Sequence, residues 1–443
     1  MQTAGDASVP WYRLIDRRQW NTLLATNLGW LFDGFETYAL VLVAGPALRQ
    51  LLEPSQFPQI PAFLGMIFAI NLLGWGVGGV IGGIVADYIG RKRTMILSII
   101  AYSVTTGLSA LSFDWLSFAL LRFLVGIAIG SEWATGASMI AEQWPDRARG
   151  KGAGLMQCGL GIGFFIATLV WLFVADLGPG AWRYMFLIGV LPALVTLWIR
   201  RSIPESALWT KTDARRRAAV ERKRAGATLH GEDQALARFT AVDLFADPHI
   251  RRLTVIVFLM SLTTTLGWWS IATWVPPFIG AVAGKAGLIG PQWATYAGFA
   301  YTTGATIGYA AFGFLADAFG RKPVTVAYMA LALAITPVLF LGTQELHLLL
   351  VLVALNGAFS NGQYSWMPVW LPELYPTRMR ATAMAFVFNA PRFIACLGPL
   401  FGGQLIVYFG GFGYAATIAA AIYILGLAAV SFLPETRGRP LPA

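Results

Sequence analysis

The stretch Gly83-Ile-Val-Ala-Asp87-Tyr-Ile-Gly90-Arg91-Lys92-Arg93 returns in shortened form as Gly313-Phe-Leu-Ala-Asp317-Ala-Phe-Gly320-Arg321-Lys322, with the two aspartates 230 positions apart. Two further motif pairs keep this distance to within one residue: Glu142-x-x-Pro145-x-x-x-Arg149 with Glu373-x-x-Pro376-x-x-x-Arg380, and Ile203-Pro204-Glu205-Ser206 with Leu433-Pro434-Glu435-Thr436. The chain therefore carries the same half twice. In a membrane protein, two like halves favour a substrate site at the repeat interface and access that alternates between the two sides.

The composition is that of a membrane protein. Of the 443 residues, 57% are hydrophobic and 12% are charged, whereas a soluble domain carries about 25% charged residues. Apolar stretches near twenty residues long recur, and each can cross a hydrocarbon core of about 30 Å. Because lipid offers no partners to the backbone, we expect these stretches to be helices and the fold to be all-α. The twelve predicted spans are 20–44, 62–86, 94–112, 115–140, 152–175, 182–201, 253–279, 293–316, 323–341, 347–371, 381–405 and 412–433.

The distribution of positive charge predicts the topology. With the N-terminus placed inside, 27 of the 32 Lys and Arg residues fall on the inner side, as the positive-inside rule requires. Both termini are therefore expected to be cytoplasmic in a multi-pass protein of the bacterial inner (plasma) membrane. This distribution accounts for the net charge of +10, so we expect no nucleic-acid partner. The predicted organisation is a cytoplasmic segment 1–19, a six-helix bundle 20–201, a cytoplasmic central loop 202–250, a second bundle 251–433 and a tail 434–443.

The first nineteen residues lack the short apolar region and cleavage site of a signal peptide, so the first helix is expected to direct its own insertion. The two cysteines, Cys158 and Cys396, both lie inside spans and show no metal-ligand spacing. We expect no metal, no cofactor and no enzymatic activity, because the chain also lacks a nucleophile elbow and a phosphate loop.

The doubled Gly-x-x-x-Asp-x-x-Gly-Arg-Lys loop resembles the signature loop of the major facilitator superfamily. Arg122-x-x-x-Gly126 in span 4 resembles its second motif, and Pro204-Glu205-Ser206 and Pro434-Glu435-Thr436 resemble the markers after spans 6 and 12 of its sugar and organic-acid branch. The resemblance covers the whole chain and implies two pseudo-symmetric six-helix bundles around a central cavity, working as a monomer.

Two motifs indicate the branch. Asp33-Gly34-Phe35-Glu36 is similar to the Asp-Gly-Phe-Asp motif of aromatic-acid:proton symporters, with Glu as the second acid. Gly130-Ser-Glu132-Trp133 resembles the sialate, shikimate and short-chain carboxylate porters. The resemblance implies proton-coupled import of a small organic acid. The Gly-Pro motif of drug exporters is absent from span 5.

Four charged residues within the spans of the first half are candidates for proton coupling: Asp33, Glu36, Arg122 and Glu132. A charge at the bilayer centre costs about 2.5–3.5 kcal/mol, so such residues face a cavity or one another. Asp33 and Glu36 share one helix face. We expect a carboxyl group near Arg122 to alternate between an ion pair and a protonated state. The resemblance places that acid on span 1, which favours Asp33, and Glu36 or Glu132 could share the proton. A static ion pair is the alternative to a proton-coupling role.

Arg392 in span 11 is the candidate for binding the anionic group of a substrate, because arginine stays charged and contacts a carboxylate bidentately. An interhelical anchor is the alternative. The other candidate substrate contacts are Gln157, Trp269, Trp274, Tyr301, Asn361, Gln363, Trp366 and Asn389. With seventeen tryptophans in the chain, any one Trp is more often a packing or interface residue than a ligand contact.

Charges at the inner ends of the spans are candidates for gating. They are Asp87, Arg91, Glu142, Arg149, Asp317, Arg321, Glu373 and Arg380. Their repetition in both halves favours a contact that forms in one state and breaks in the other; capping and topology control are the alternative.

Three further interpretations stay open, one for the central loop and two for the function of the protein. The composition of the basic central loop predicts a solvated amphipathic linker, with an anionic-lipid or partner contact as the alternative. A proton-coupled sugar or polyol porter keeps the fold and changes the substrate. A membrane sensor without flux is the third possibility, disfavoured because about 50 residues are too few for an ordinary signalling domain of about 100–150.

Overall fold

The computed structural model describes residues 9–442, with the surroundings of some side chains between 196 and 201 and between 399 and 407 left aside. Residues 1–8 of the predicted N-terminal segment and residue 443 of the tail lie outside the described part. Within residues 9–442 the chain forms helices and no strand, as expected.

The first half contains eight α-helices. They are α1 Arg17–Leu51, α2 Ile60–Ile89, α3 Arg91–Ser109, α4 Trp115–Gly130, α5 Trp133–Gln143, α6 Arg149–Val174, α7 Ala181–Ile188 and α8 Pro192–Ser202. The predicted central loop holds three more, α9 Ala207–Arg224, α10 Gly231–Leu236 and α11 Thr240–Ala246.

The second half repeats the pattern with more interruptions. Its α-helices are α12 Pro248–Ala272, α13 Val275–Lys285, α14 Gly290–Phe319, α15 Arg321–Leu341, α16 Leu346–Asn356, α17 Trp366–Leu374, α18 Arg380–Asn389, α19 Arg392–Ala395, α20 Leu397–Tyr408, α21 Phe412–Ala420 and α22 Tyr423–Ser431. A π-helical turn Gly357–Asn361 and a 3₁₀ turn Gly362–Ser365 join α16 to α17.

Every predicted span coincides with helix, but several are broken rather than continuous. Span 4 is interrupted after Gly130, and span 10 is interrupted at the π and 3₁₀ turns. Eight helical stretches in the described part are long and apolar enough to cross a membrane. The count of twelve crossings and the cytoplasmic position of the termini stay predictions.

The glycine of each doubled loop is required by the turn it makes. Gly90 and Gly320 have φ of 105° and 107°, a region that residues with a Cβ rarely enter. Each ends one long helix and starts the next within a single residue. The turn brings α2 onto α3, and α14 onto α15, with the charged ends of the motif at the junction.

The two halves meet along two pairs of closely packed helices, α2 with α18 and α6 with α14. A Cβ on Gly313 would lie 2.3 Å from the carbonyl oxygen of Gly150, and one on Gly83 would lie 2.2 Å from Cβ of Ala385. These glycines let the backbones approach, as small residues do between membrane helices. The interface between the halves is where the candidate site lies.

Candidate functional site

A small central chamber, about 20 Å³ in volume, lies between the halves. Four of the predicted substrate contacts line it: Gln157 from the first half, and Trp269, Asn361 and Arg392 from the second. The other lining residues, which the sequence analysis did not select, are Trp30, Thr37, Trp75, Leu160, Phe164, Trp268, Tyr309, Tyr364 and Phe388. The chamber has room for about one water molecule, so it is closed in this conformation.

Arg392 is a buried cation that has no counter-charge among the described residues. Only 3% of its surface is exposed, and its guanidinium lies 4.4 Å from the ring of Trp75 and 4.2 Å from the ring of Phe388. Its Nη1 donates to the Phe388 carbonyl oxygen, while Nε has no partner among the described residues. No described carboxylate is within ion-pair distance of it. An uncompensated buried charge is costly, and an anion in the chamber would neutralise it.

Unused hydrogen-bond donors surround this cation. The indole Nε1 atoms of Trp30, Trp75 and Trp269 and the Nε2 atom of Gln157 are buried and lack partners in the described part of the chain. Buried donors are normally satisfied. Their convergence on one chamber indicates a ligand that accepts hydrogen bonds. Trp30 carried a signal in the sequence, because it lies one helical turn before Asp33.

Three predicted substrate contacts do not reach the chamber, because bonds within the protein already hold them. Trp366 donates from Nε1 to Thr264 Oγ1 at 3.2 Å, Gln363 donates to the Ser360 carbonyl at 3.0 Å, and Asn389 donates to the Ala385 carbonyl at 2.9 Å. Tyr301 and Trp274 lie elsewhere, in a larger cavity.

That larger cavity, about 450 Å³ in volume, is an outer cavity formed by both halves. Residues from α1 and α2 face residues from α12 and α14 across it. Trp268, Trp269, Thr37 and Phe164 line both the outer cavity and the chamber. A solute in the outer cavity would therefore meet these four side chains before it reached Arg392.

The partner of Arg122 is Glu36 rather than the expected Asp33. Arg122 Nη1 forms an ion pair with Glu36 Oε1, and Nη2 donates to Ser109 Oγ. The guanidinium also lies 4.3 Å from the ring of Phe186. The longer side chain of Glu36, one turn further along α1, reaches an arginine that Asp33 does not contact.

Asp33 and Glu132 form a second acidic group with no donor. Both side chains are buried, with 0% and 2% exposure, and all four carboxyl oxygens lack hydrogen-bond partners within residues 9–442. Glu132 lies in the break between α4 and α5, and its carboxylate rests against Gly29 of α1. An unpaired carboxylate at this depth would cost several kcal/mol, so a neutral, protonated carboxyl fits this position.

The eight predicted gating residues form two interlocked clusters at the face that carries the doubled loops. In one, Glu142 pairs with Arg91 at 3.1 Å and with Arg380 at 2.9 Å. In the other, Glu373 pairs with Arg321 at 2.7 Å and with Arg149 at 3.2 Å. Each glutamate therefore binds an arginine of its own half and an arginine of the opposite half. Asp87 and Asp317 pair with Arg91 and Arg321 at 2.9 and 3.1 Å.

The repeat is broken at the two aspartates. Asp87 accepts hydrogen bonds from Thr382 N at 2.9 Å and Thr382 Oγ1 at 2.6 Å. Asp317 accepts from Lys151 N at 3.0 Å and forms an ion pair with Lys151 Nζ at 3.0 Å. Lys151 and Thr382 occupy equivalent positions of the two halves. The cross-half partner of Asp87 is therefore a neutral residue, whereas the cross-half partner of Asp317 is a cation.

The glutamates of the Pro-Glu markers cap the helices that follow the doubled loops. Glu435 accepts N–H groups of Arg321 and Lys322 at 3.0 Å each, and Glu205 does the same for Arg91 and Lys92. Burial alone would raise the pKa of Glu435, but backbone N–H donors from Arg321, Lys322, Arg437 and Thr436 hold it below its ordinary value of 4.5. The marker is therefore a structural cap.

The central loop is amphipathic, and one of its faces packs against both halves. Trp209 of α9 donates from Nε1 to the Asp87 carbonyl at 2.9 Å. Arg216 donates to that carbonyl and to the Arg378 carbonyl of the second half, at 2.5 Å each. Arg378 in turn binds Asp243 of α11 at 2.8 Å. One buried face of α9 thus ties the two halves together, while its other basic residues remain exposed.

The chain has many relatives of known class. A family model described as "Sugar (and other) transporter" matches residues 52–443. The sialic acid transporter NanX of Escherichia coli is 27% identical over 90% of this chain and 90% of its own. The 3-(3-hydroxy-phenyl)propionate transporter of the same organism is 28% identical over 93% of each. The solved proton:xylose symporter XylE superposes with a TM-score of 0.74 at 22% identity, over 96% of this chain and 98% of that one.

These findings confirm the superfamily, the helical fold and the interpretation as a transporter rather than an enzyme. Both of these bacterial relatives carry the names of organic-acid transporters. The chain belongs to the sugar (and other) transporter family of the major facilitator superfamily, as a multi-pass protein of the plasma membrane.

Proposed function

We propose that the protein imports a small organic anion together with a proton, by alternating access. The observation that carries the proposal is Arg392, a buried cation that faces the chamber with no described carboxylate to pair with. A carboxylate substrate would supply the missing charge and accept hydrogen bonds from the neighbouring indoles. Relatives named for sialic acid and for a phenylpropionate support the same substrate class.

The proton would travel on the acids of the first half. Asp33 and Glu132 suit the protonated form because they lack donors, and Glu36 suits the ionised form because it pairs with Arg122. Arg122 and Glu36 then hold the site's geometry, and a proton reaching Glu36 would break their pair. One proton moving down a potential of 100 mV supplies about 2.3 kcal/mol, enough to accumulate a solute.

Alternating access is supported by the contrast between the two faces. The clusters around Glu142 and Glu373 close one face, while the outer cavity of about 450 Å³ opens toward the other. Transport would require the cross-half pairs to break and the outer cavity to close. Such pairs are suited to a contact with two discrete states.

The test is uptake into proteoliposomes under an imposed pH gradient, with benzoate, shikimate, sialate, acetate and xylose as labelled solutes. We expect at least one carboxylate to accumulate with measurable proton influx. Proton-linked accumulation of xylose alone would replace this proposal with the sugar porter, the second candidate, which the amides of Gln157 and Asn361 in the chamber would serve.

The same assay tests Arg392 directly. Arg392→Lys keeps the charge and loses the planar donor pair, so we expect carboxylate uptake at low concentration to fall by about tenfold or more. Arg183→Lys is the matched control, because Arg183 contacts the Ala110 carbonyl and Trp182 far from the chamber lining. Equal apparent affinity in both variants would remove Arg392 from the substrate site.

A further inference from the structure

The arginine of the proposed anion site and the acids of the proposed proton site belong to different halves, and no ion pair among the described residues joins them. Arg392 belongs to α19 of the second half, whereas Asp33, Glu36 and Glu132 belong to the first half. The acids interact electrostatically with one another and with Tyr102 of α3, and Arg122 is the paired cation beside them. Symport therefore needs a physical link from the substrate to these acids.

Two stacked rings lie between Arg392 and Glu132. Phe388, on α18, lies one turn before Arg392, and its ring is 4.2 Å from the guanidinium. On its other side it stacks on Trp133 of α5, with ring centroids 3.8 Å apart and planes 11° apart. Trp133 follows Glu132 directly in the chain. We refer to Trp133 and Phe388 together as the cross-half stack.

The cross-half stack is held in place by packing and by a hydrogen bond. Both rings are 1% exposed, and Trp133 Nε1 donates to Gln157 Oε1 at 3.1 Å. Gln157 itself lines the chamber. Trp133 begins α5 directly after Glu132, whose N–H donates to the Ile129 carbonyl at 3.1 Å and whose carbonyl accepts from Gly136 N at 3.1 Å. A displacement of the indole therefore reaches Glu132 through a single peptide unit.

From this arrangement, and resting on the proposed function, we infer that the cross-half stack couples anion binding at Arg392 to proton release or uptake at Glu132. A carboxylate on Arg392 competes with the ring of Phe388 for the guanidinium, because a cation–π contact weakens when the cation gains a true counter-ion. The freed Phe388 ring shifts the indole of Trp133, and Glu132 moves relative to Gly29. Trp133 is a positioning residue in this scheme.

The experiment compares two activities in the same proteoliposomes, with benzoate, shikimate and sialate as labelled probes. Exchange of labelled for unlabelled solute needs binding and alternation, but no net proton movement. Accumulation under a pH gradient needs coupling as well. In Trp133→Leu we expect exchange to stay within about twofold and accumulation to fall about tenfold, since an aromatic stack contributes about as much as a tenfold change in an equilibrium. Trp133→Phe retains a ring and should restore most of the accumulation.

A matched control separates coupling from loss of packing. Trp370 of α17 is equally buried and is not among the residues that line the chamber, so Trp370→Leu should lower both activities in parallel. If Trp133→Leu also lowers both in parallel, or lowers neither, the inference about the cross-half stack is wrong while proton-linked uptake by the wild type stands. If the wild type exchanges a carboxylate without ever moving protons, the proposed symport fails, and this inference with it.

Discussion

Gly29 of α1 has no side chain, and the Glu132 carboxylate occupies the space that a side chain would fill. A Cβ at this position would lie 1.6 Å from Glu132 Oε1. The obstructing atom is the end of a flexible side chain, so Gly29→Ala should displace the carboxylate rather than the helices, at a cost in stability of about 1 kcal/mol or less. Because Glu132 is a proposed proton carrier, we expect proton-driven accumulation in proteoliposomes to fall about tenfold.

Gly45 provides the control on the same helix. A Cβ there would meet nothing within 4 Å beyond its chain neighbours, so Gly45→Ala should leave transport unchanged. Because Pro46 follows and disfavours helical backbone at a residue with a Cβ, we expect α1 to lose a little stability rather than gain it. Thermal unfolding in detergent measures the second effect. If the two alanine variants transport alike, Glu132 does not need its position against α1.

At the scale of single elements, the cap on α15 gives a pH-dependent contribution to stability. The pKa of Glu435 is lower in the folded protein than its ordinary value of 4.5. A carboxyl group with a lowered pKa stabilises the fold at pH values above the ordinary pKa, and that contribution is lost as the pH falls through the folded-state pKa. Melting curves of the wild type between about pH 7 and pH 3 should therefore show a loss of Tm on the acid side that Glu435→Gln reduces. Glu221→Gln, on the exposed side of α9, should follow the wild type.

The elements also show what the sequence could and could not predict. The twelve apolar stretches coincide with helices because apolar length and backbone hydrogen bonding in lipid leave no other choice. The breaks in spans 4 and 10 carry no proline at the break itself, and the polar residues there, Glu132 and Gln363, are buried by packing that the sequence does not show. Arg392 stood out because charge is rare in a span. Trp75 and Phe388 did not, because aromatic residues are common in every span and only packing brings these two onto one guanidinium.

At the scale of the whole molecule, the halves are joined by buried ion pairs whose partners are exchanged across the interface. The charged residues were predictable from the doubled motifs. The pairing of each glutamate with an arginine of the opposite half was not, because the spacing of residues in the sequence does not say which half an arginine faces. Arg216 of α9 and Lys151 add further contacts between the halves at the same face. A buried pair that loses one partner costs about 3–5 kcal/mol, so single substitutions here should shift the balance between the two states.

Cys158 can report that shift. Its thiol lies between the halves, with Sγ 3.3 Å from the Thr306 carbonyl of α14, and it is buried in the closed arrangement. Arg149→Gln breaks the cross-half pair with Glu373 and leaves Arg321 on that glutamate. In a Cys396→Ser background, we expect Arg149→Gln to speed maleimide labelling of Cys158 by about tenfold or more, because the closed face opens more often. Arg217→Gln, which removes an exposed pair within α9, should label at the wild-type rate. Unchanged labelling together with lost transport would identify the cross-half pairs as a static scaffold rather than a gate.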